Sequence, residues 1–220
     1  MLQGRTIVVT GANGSLGRAV CAKAQSLGAR VLRIDLRFER EEPHCFSVDL
    51  TDRGATRACF DALGEFDGLF NLAGGFTMGA SAWDPDDGQW EAMFRINVTT
   101  LRNAMKAAVP HLVRRGAGSV VNVGAYGARE GQGMMSAYCA AKSTVMRLTE
   151  SLAEELREQG VNVNAVLPTI IDTPPNRAAM PDADPGRWVA PEDLASVICF
   201  LGSEAARAVH GALLPVRGLS

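Results

Sequence analysis

Long apolar runs, clustered cysteines and blocks of like charge are all missing from this chain, and each absence removes a class of function. No apolar stretch approaches the roughly 20 residues that a membrane-spanning helix needs, and the N-terminus leads straight into a short β-branched run without the layout of a signal sequence. The five cysteines (Cys21, Cys45, Cys59, Cys139 and Cys199) are scattered, odd in number and never paired as C-x-x-C. That pattern predicts buried reduced thiols in a reducing compartment, and with the missing signal it points to the cytoplasm. His44, His111 and His210 lie far apart with no metal-ligand spacing, so no metal is expected. Twenty-two Lys+Arg against 24 Asp+Glu give a net charge of −2 with no basic block. Neither nucleic acid nor an anionic membrane surface is an expected partner.

What the chain does have is alternation. Short β-branched or apolar runs, "RTIVVT", "ARVLRIDL", "CFSVDL", "GLFNLAGG", "GSVVNVGA", "VNVNAVLP" and "GALLPVRG", are separated by stretches with helical spacing. The spacing predicts helices from about residue 15 to Gly28, over "DRGATRACFDALGEF", and over 87–109, 137–159 and 191–202. Strands alternating with helices, no linker and no repeat predict one α/β domain over 1–220, a parallel sheet of about seven strands covered on both faces. In such sheets ligands bind beyond the carboxyl ends of the strands. The Pro-, Asp- and Gly-rich segment 172–186, which follows the sixth strand, is therefore a candidate lid.

The first strand runs into "TGANGSLG", which sets Gly11, Gly14 and Gly17 between a strand and a helix. Small residues there let a pyrophosphate approach the amides of a helix N-terminus. The second strand ends in Asp35, a carboxylate suited to both hydroxyls of an adenosine ribose and repellent to a 2′-phosphate. NAD(H) is expected over NADP(H), although Arg37, two residues on, is a residue that could greet a phosphate, and an aspartate in this place can also simply cap a turn.

Tyr138 and Lys142 lie one turn apart near the start of the 137–159 helix, on a stripe with Val145, Thr149, Leu152 and Leu156. A lysine on a largely apolar stripe either snorkels to solvent or is used, because a buried ammonium is costly. If used, it lowers the Tyr138 phenol pKa and donates to ribose hydroxyls. Asn97 falls on the apolar face of the 87–109 helix, where a buried amide must find partners.

Taken together these motifs resemble the short-chain dehydrogenase/reductase family, whose pattern is TGxxxGxG, then NNAG, then YxxxK. The match runs nearly the whole length in the right order, and it implies a single Rossmann-type domain, a nicotinamide cofactor and hydride transfer. Thr10, Gly11 and Gly17 fit the first motif, with Ser15 at the middle glycine and Gly14 displaced by one. Asn71, Ala73 and Gly74 fit the second, with Leu72 in place of the second asparagine. By the resemblance, Asn13, Gly14, Ser15 and Leu16 join the cofactor loop, Asp49 and Leu50 contact adenine, and Pro168 and Thr173 approach the nicotinamide. Asn97 takes the structural-catalytic asparagine's place, Tyr138 is the acid/base and Lys142 its partner. Relatives pair the two long helices across a two-fold axis, which implies a homodimer or homotetramer.

One family residue is absent. The serine that stands thirteen residues ahead of the tyrosine falls on Ala125, and Gly124 offers no hydroxyl either. Three explanations follow. Tyr126 or Ser136 supplies a substitute hydroxyl to an ordinary alcohol–ketone oxidoreductase; the protein binds NAD(H) without catalysis; or the small-molecule substrate does not need the serine. For the third, the Gly-Ala pair, the GxxGxxG spacing and "DTPPNRAAMPDADPGRW" are similar to dihydropteridine reductase, which implies a conjugated, pterin-like ring. Ala125, Tyr126 and, beside the lid, Trp188 are the expected substrate neighbours.

Overall fold

The computed structural model describes residues 1–40, 42–84 and 86–220. Seven strands form a single all-parallel sheet, in the order β3-β2-β1-β4-β5-β6-β7. They are β1 (Thr6–Thr10), β2 (Arg30–Asp35), β3 (Cys45–Ser47), β4 (Gly68–Asn71), β5 (Gly118–Val123), β6 (Val161–Pro168) and β7 (Leu213–Val216). The helices between them are α1 (Ser15–Ser26), α2 (Arg53–Ala62), α3 (Asp87–Phe94), α4 (Thr100–Arg115), α5 (Ser136–Leu156), α6 (Pro174–Ala179) and α7 (Pro191–Leu201). Strand order reverses at β1, whose neighbours are β2 on one side and β4 on the other, and that switch point opens the ligand crevice at the carboxyl edge.

Side chains alternate across the sheet because a strand has a period of two. In β1, Ile7 and Val9 pack with Val20, Ala24, Leu194 and Ile198 of α1 and α7. Val8, between them, packs on the other face with Phe60, Ala104 and Leu112 of α2 and α4. Each fully buried side chain of this size contributes roughly 1.5–3 kcal/mol. The near-continuous apolar runs of the strands are thus the mark of a sheet covered on both faces.

The helix expected over 87–109 is two helices and a bulge. α3 stops at Phe94, residues Arg95–Thr99 form a π-helical turn, and α4 continues to Arg115. Two local bonds compete with the helical ladder here: the Asn97 amide donates to the Met93 carbonyl (3.1 Å) and the Thr100 hydroxyl to the Ile96 carbonyl (2.6 Å). The far boundary moved because Pro110 is tolerated on the exposed side of α4, which ends instead at left-handed Gly116 (φ 68°). Segment 172–186 holds short α6 and an ordered turn at Pro185–Arg187. All five cysteines are free; Cys21, Cys139 and Cys199 are buried, whereas Cys45 and Cys59 are only half-buried. No helix is long and apolar enough to cross a membrane among the described residues.

Candidate functional site

The carboxyl edge gathers the residues singled out above. Thr10, Asp35, Asn71 and Pro168 lie at or next to the last positions of β1, β2, β4 and β6, while Ala125 lies just past β5. Gly11–Gly17 turn from β1 into α1, Asp49 and Leu50 precede α2, and Thr173 caps α6, accepting from the Asn176 amide at 3.4 Å.

The cofactor side is built mostly of backbone. Gly11 adopts φ 66° and leaves no room for a side chain, since a Cβ there would stand 2.7 Å from the Ala73 nitrogen. A Cβ at Gly17 would meet the Gly11 carbonyl at 2.0 Å, so helix and loop close on each other only because this residue is glycine. Gly14 differs: a Cβ would touch only the Gly11 carbonyl, at 3.4 Å, and the outer face of the loop is open. α1, like α4, α5 and α7, has no side-chain cap, and it carries no acid in its first turn. Its first amides therefore have no capping side chain and face an open loop, the arrangement that takes a pyrophosphate. The Asp35 carboxylate is fixed by amides of Asn13 (2.8 Å) and Leu36 (2.7 Å), and its remaining lone pairs can accept from ribose hydroxyls. The Thr10 hydroxyl accepts from the amides of Leu72 (3.2 Å) and Ala73 (3.3 Å), joining the first motif to the second. Asp49 is turned onto the Thr51 hydroxyl and amide, which hold its carboxyl below the usual carboxylate range. Leu50 is buried, and its carbonyl accepts from Asn103 at 2.9 Å. The donor set fits a dinucleotide.

At the chemical end, three elements meet at one glycine. A Cβ on Gly74 would stand 2.7 Å from Asn97 Oδ1 and 3.3 Å from Lys142 Nζ. Asn97 is buried, and it clamps the strand-end loop to the bulge: Gly75 donates to its Oδ1 (3.1 Å), and its Nδ2 donates to the Gly75 carbonyl (3.0 Å). Lys142 does not snorkel; only 7% of it is exposed, and Nζ donates to the Val123 carbonyl at 2.9 Å. Burial pulls its pKa down to about 8. Burial likewise pushes the Tyr138 phenol up to about 12, with a smaller push from the Cys139 thiol. The expected lowering of the phenol by the lysine is not found: burial moves it the other way, and the phenol stands neutral at ordinary pH. Deeper in, Asn71 donates to Asn122 (2.9 Å) and Asn122 to the Thr149 hydroxyl (2.9 Å), a buried polar thread through β4, β5 and α5.

Gly124 can hold no larger residue without movement, because a Cβ would lie 2.5 Å from Leu167 Cδ2. Ala125 is buried with Tyr126, Met135 and Tyr138 in one apolar cluster. The Tyr126 hydroxyl accepts from Arg217 at 3.3 Å, and Trp188 is buried, presenting little of its ring. Sequence reasoning missed Phe76, whose ring stands edge-on to Tyr138 with centroids 4.8 Å apart. It also missed the Val123 carbonyl, which as a main-chain group leaves no signal. Among the described residues, no group of three or more His, Cys, Asp or Glu could hold a metal.

A family model described as short chain dehydrogenase matches residues 5–184. The chain belongs to the short-chain dehydrogenases. The cis-4-hydroxycyclohexanecarboxylate dehydrogenase of Sinomonas cyclohexanicum is 34% identical over 97% of this chain and 95% of its own length. A putative 2-deoxy-d-gluconate 3-dehydrogenase from Agrobacterium tumefaciens, solved with bound NADP, superimposes with a TM-score of 0.88 at 32% identity, covering 99% of this short-chain dehydrogenase and 96% of its counterpart. Carveol dehydrogenase from Mycobacterium avium, solved in complex with NAD, gives a TM-score of 0.87 at 27% identity, covering 99% and 97%. The chain is accordingly an oxidoreductase of an NAD(P)-binding family, and its solved neighbours hold either nucleotide.

Proposed function

We propose that this short-chain dehydrogenase moves hydride between NAD(H) and a small cyclic substrate, either a ring-borne hydroxyl and its ketone or a conjugated ring of the pterin type. The nicotinamide supplies or accepts the hydride when bound. Tyr138 gives the accompanying proton to the oxygen, or ring nitrogen, that gains the electron pair as hydride reaches the substrate, and takes it back in the reverse direction. Lys142 donates to ribose hydroxyls and sets the charge beside the phenol, and Asn97 holds the loop that closes this end of the crevice. Asp35 favours NAD(H), because a 2′-phosphate beside a fixed carboxylate is repelled.

One observation carries the choice of a ring: near Ala125, where the serine is missing, Phe76 stands edge-on to Tyr138, and the exposed Met78 and Met134 lie in the segments joined by the Gly79–Met134 backbone hydrogen bond (2.8 Å). A ring lodged between an aromatic edge and thioethers is oriented by its own faces and depends less on one hydroxyl donor at the oxygen. The names of the cyclohexanecarboxylate and carveol relatives agree with a ring-borne hydroxyl. Tyr126 as the substitute donor is not favoured, since its hydroxyl is already engaged by Arg217.

The test is nucleotide-coupled turnover on wild type and Tyr138→Phe with two sets of compounds, quinonoid dihydropterin with NADH, and cyclohexanols with NAD+. Turnover of either set that collapses in the variant upholds the reading and selects the branch. Clear NADH binding with no turnover of either rejects it and leaves an NAD(H)-responsive binding protein.

A further inference from the structure

Two arginines converge on one aromatic ring at the substrate edge. The Arg217 guanidinium carbon lies 4.6 Å from the Tyr126 ring centroid and that of Arg129 lies 5.0 Å away. Both are exposed. Some surface arginines sit against carboxylates, as Arg115 does against Asp67 and Arg177 against Asp172, while others, such as exposed Arg18 and Arg102, have none within reach among the described residues. Among the described residues neither Arg129 nor Arg217 has such a partner. Arg217 is held rather than loose: Nη1 donates to the Tyr126 hydroxyl (3.3 Å), Nε to the Ser220 carbonyl (3.3 Å), and its own carbonyl accepts from the Thr169 hydroxyl (2.9 Å).

Their place in the fold makes this more than surface charge. Tyr126, Thr169 and Arg217 follow the carboxyl ends of β5, β6 and β7, three neighbouring parallel strands, so the cluster lies on the ligand edge of the sheet. Tyr126 follows Ala125 directly and shares its apolar cluster with Tyr138. Two exposed guanidinium groups against one ring concentrate positive charge at this edge, and an anion reaching them collects charge-assisted hydrogen bonds.

We propose that Arg217 and Arg129 form the recognition site for an anionic substituent, a carboxylate, on the ring substrate, and that this anchor orients the substrate in place of the absent serine. The inference rests on the ring-substrate reading above and deepens it. A guanidinium already held in place by its neighbours loses little freedom when it binds a planar carboxylate, which is what an anchor requires. The substrate is then bipolar, with its reacting ring against Phe76 and Tyr138 and its charge on Tyr126's two arginines.

The probe pair is 4-hydroxycyclohexanecarboxylate and its methyl ester, assayed by NAD+ reduction on wild type, Arg217→Met, Arg129→Met and Arg217→Lys. Wild type is expected to favour the acid, and Arg217→Met to cut the acid-over-ester ratio of kcat/KM by about tenfold or more, chiefly through KM. Arg129→Met moves it the same way by less, and Arg217→Lys restores only part, because an ammonium is a point charge and not a fork. A ratio that stays the same across all four proteins overturns the proposal. Should wild type turn over neither compound, calorimetry of the acid with NADH-loaded protein separates the two claims. Binding that weakens in Arg217→Met upholds the anion site while the hydride reading fails. Binding that is absent, or equal in both, overturns the site.

Discussion

The two halves of the crevice are built on different terms. The cofactor half, from Gly11 to Asp35 and across to Ala73, is a mesh of main-chain amides and short side chains within 3.3 Å of their partners. The substrate half presents exposed side chains from loops, Phe76, Met78, Met134 and the Arg129–Arg217 pair, whose contacts are apolar or charged and depend on side-chain identity. On the proposed function, one half reads a ligand common to a large family, and the other reads whatever is particular to this member. The same backbone mesh therefore serves many chemistries, and specificity is left to the loops.

The sharpest way to break this division is Tyr138→Phe. Turnover should fall by about 10²–10⁴-fold, the usual worth of a positioned acid/base. NADH affinity, measured by fluorescence, should change little; a joint collapse of both would show that the halves are not separable. Next in size is a pH effect on stability. With Lys142 at about 8 in the fold against the ordinary lysine value of 10.5, the unfolded chain holds the extra proton between those values. Lys142 should therefore contribute stability that grows with pH across that window, on the order of 3 kcal/mol when complete, against the opposite trend of the Cys21 and Cys199 thiols, which burial pushes up to about 12. The change in denaturant midpoint from about pH 8 to about pH 10 should be less favourable in Lys142→Met than in wild type; an equal change in both proteins would show that Lys142 adds nothing to it.

Within the cofactor half, two glycines should respond differently. Gly17→Ala forces a methyl to within 2.0 Å of the Gly11 carbonyl and should cost about 1–3 kcal/mol of stability, read as a lower melting temperature. Gly14→Ala makes only an ordinary contact with the Gly11 carbonyl (3.4 Å) in the free protein, so its melting temperature should move little while NADH affinity drops several-fold, about 1 kcal/mol. Equal melting shifts for the two would contradict the open cradle. The smallest expected effect is Ala125→Ser. If the substrate is oriented by its ring and its charge, turnover should change by less than about threefold, whereas a gain on the order of 10²–10³ would mean that a hydroxyl donor had been missing all along.

The division also explains what was legible in the sequence. The run of strands and helices, the glycine loop, Asp35 and the Tyr138–Lys142 pair were readable because each is fixed by spacing along the chain, and spacing survives in a string of letters; the spatial order of the strands is not fixed in that way. The bulge at Arg95–Thr99 was not, since it arises from an asparagine bonding a carbonyl four residues back, and the apolar pattern around it is ordinary helix. The end of α4 was misplaced because Pro110 reads as a stop, and only its exposed position shows why it is not. Phe76 escaped notice in a segment without periodicity, and the Arg217–Tyr126 contact spans 91 residues, so no local pattern announces it.

The polar thread from Asn71 through Asn122 to Thr149 has a consequence for assembly. Asn71 pairs directly with Asn122 in the register of β4 and β5. A slip of one residue between these strands would turn Asn122 to the opposite face and strand both amides in an apolar interior, while the Thr149 hydroxyl would keep only its bond to the Val145 carbonyl. At about 1–3 kcal/mol for each buried group left without a partner, the penalty rivals a large fraction of a domain's net stability. The purely apolar residues around the thread, Leu69, Val120 and Val121, would tolerate that slip far better. Three small polar side chains thus act as a proofreader of strand alignment, and two of them, Asn71 and Asn122, sit on the strands whose ends deliver Gly74 and Ala125.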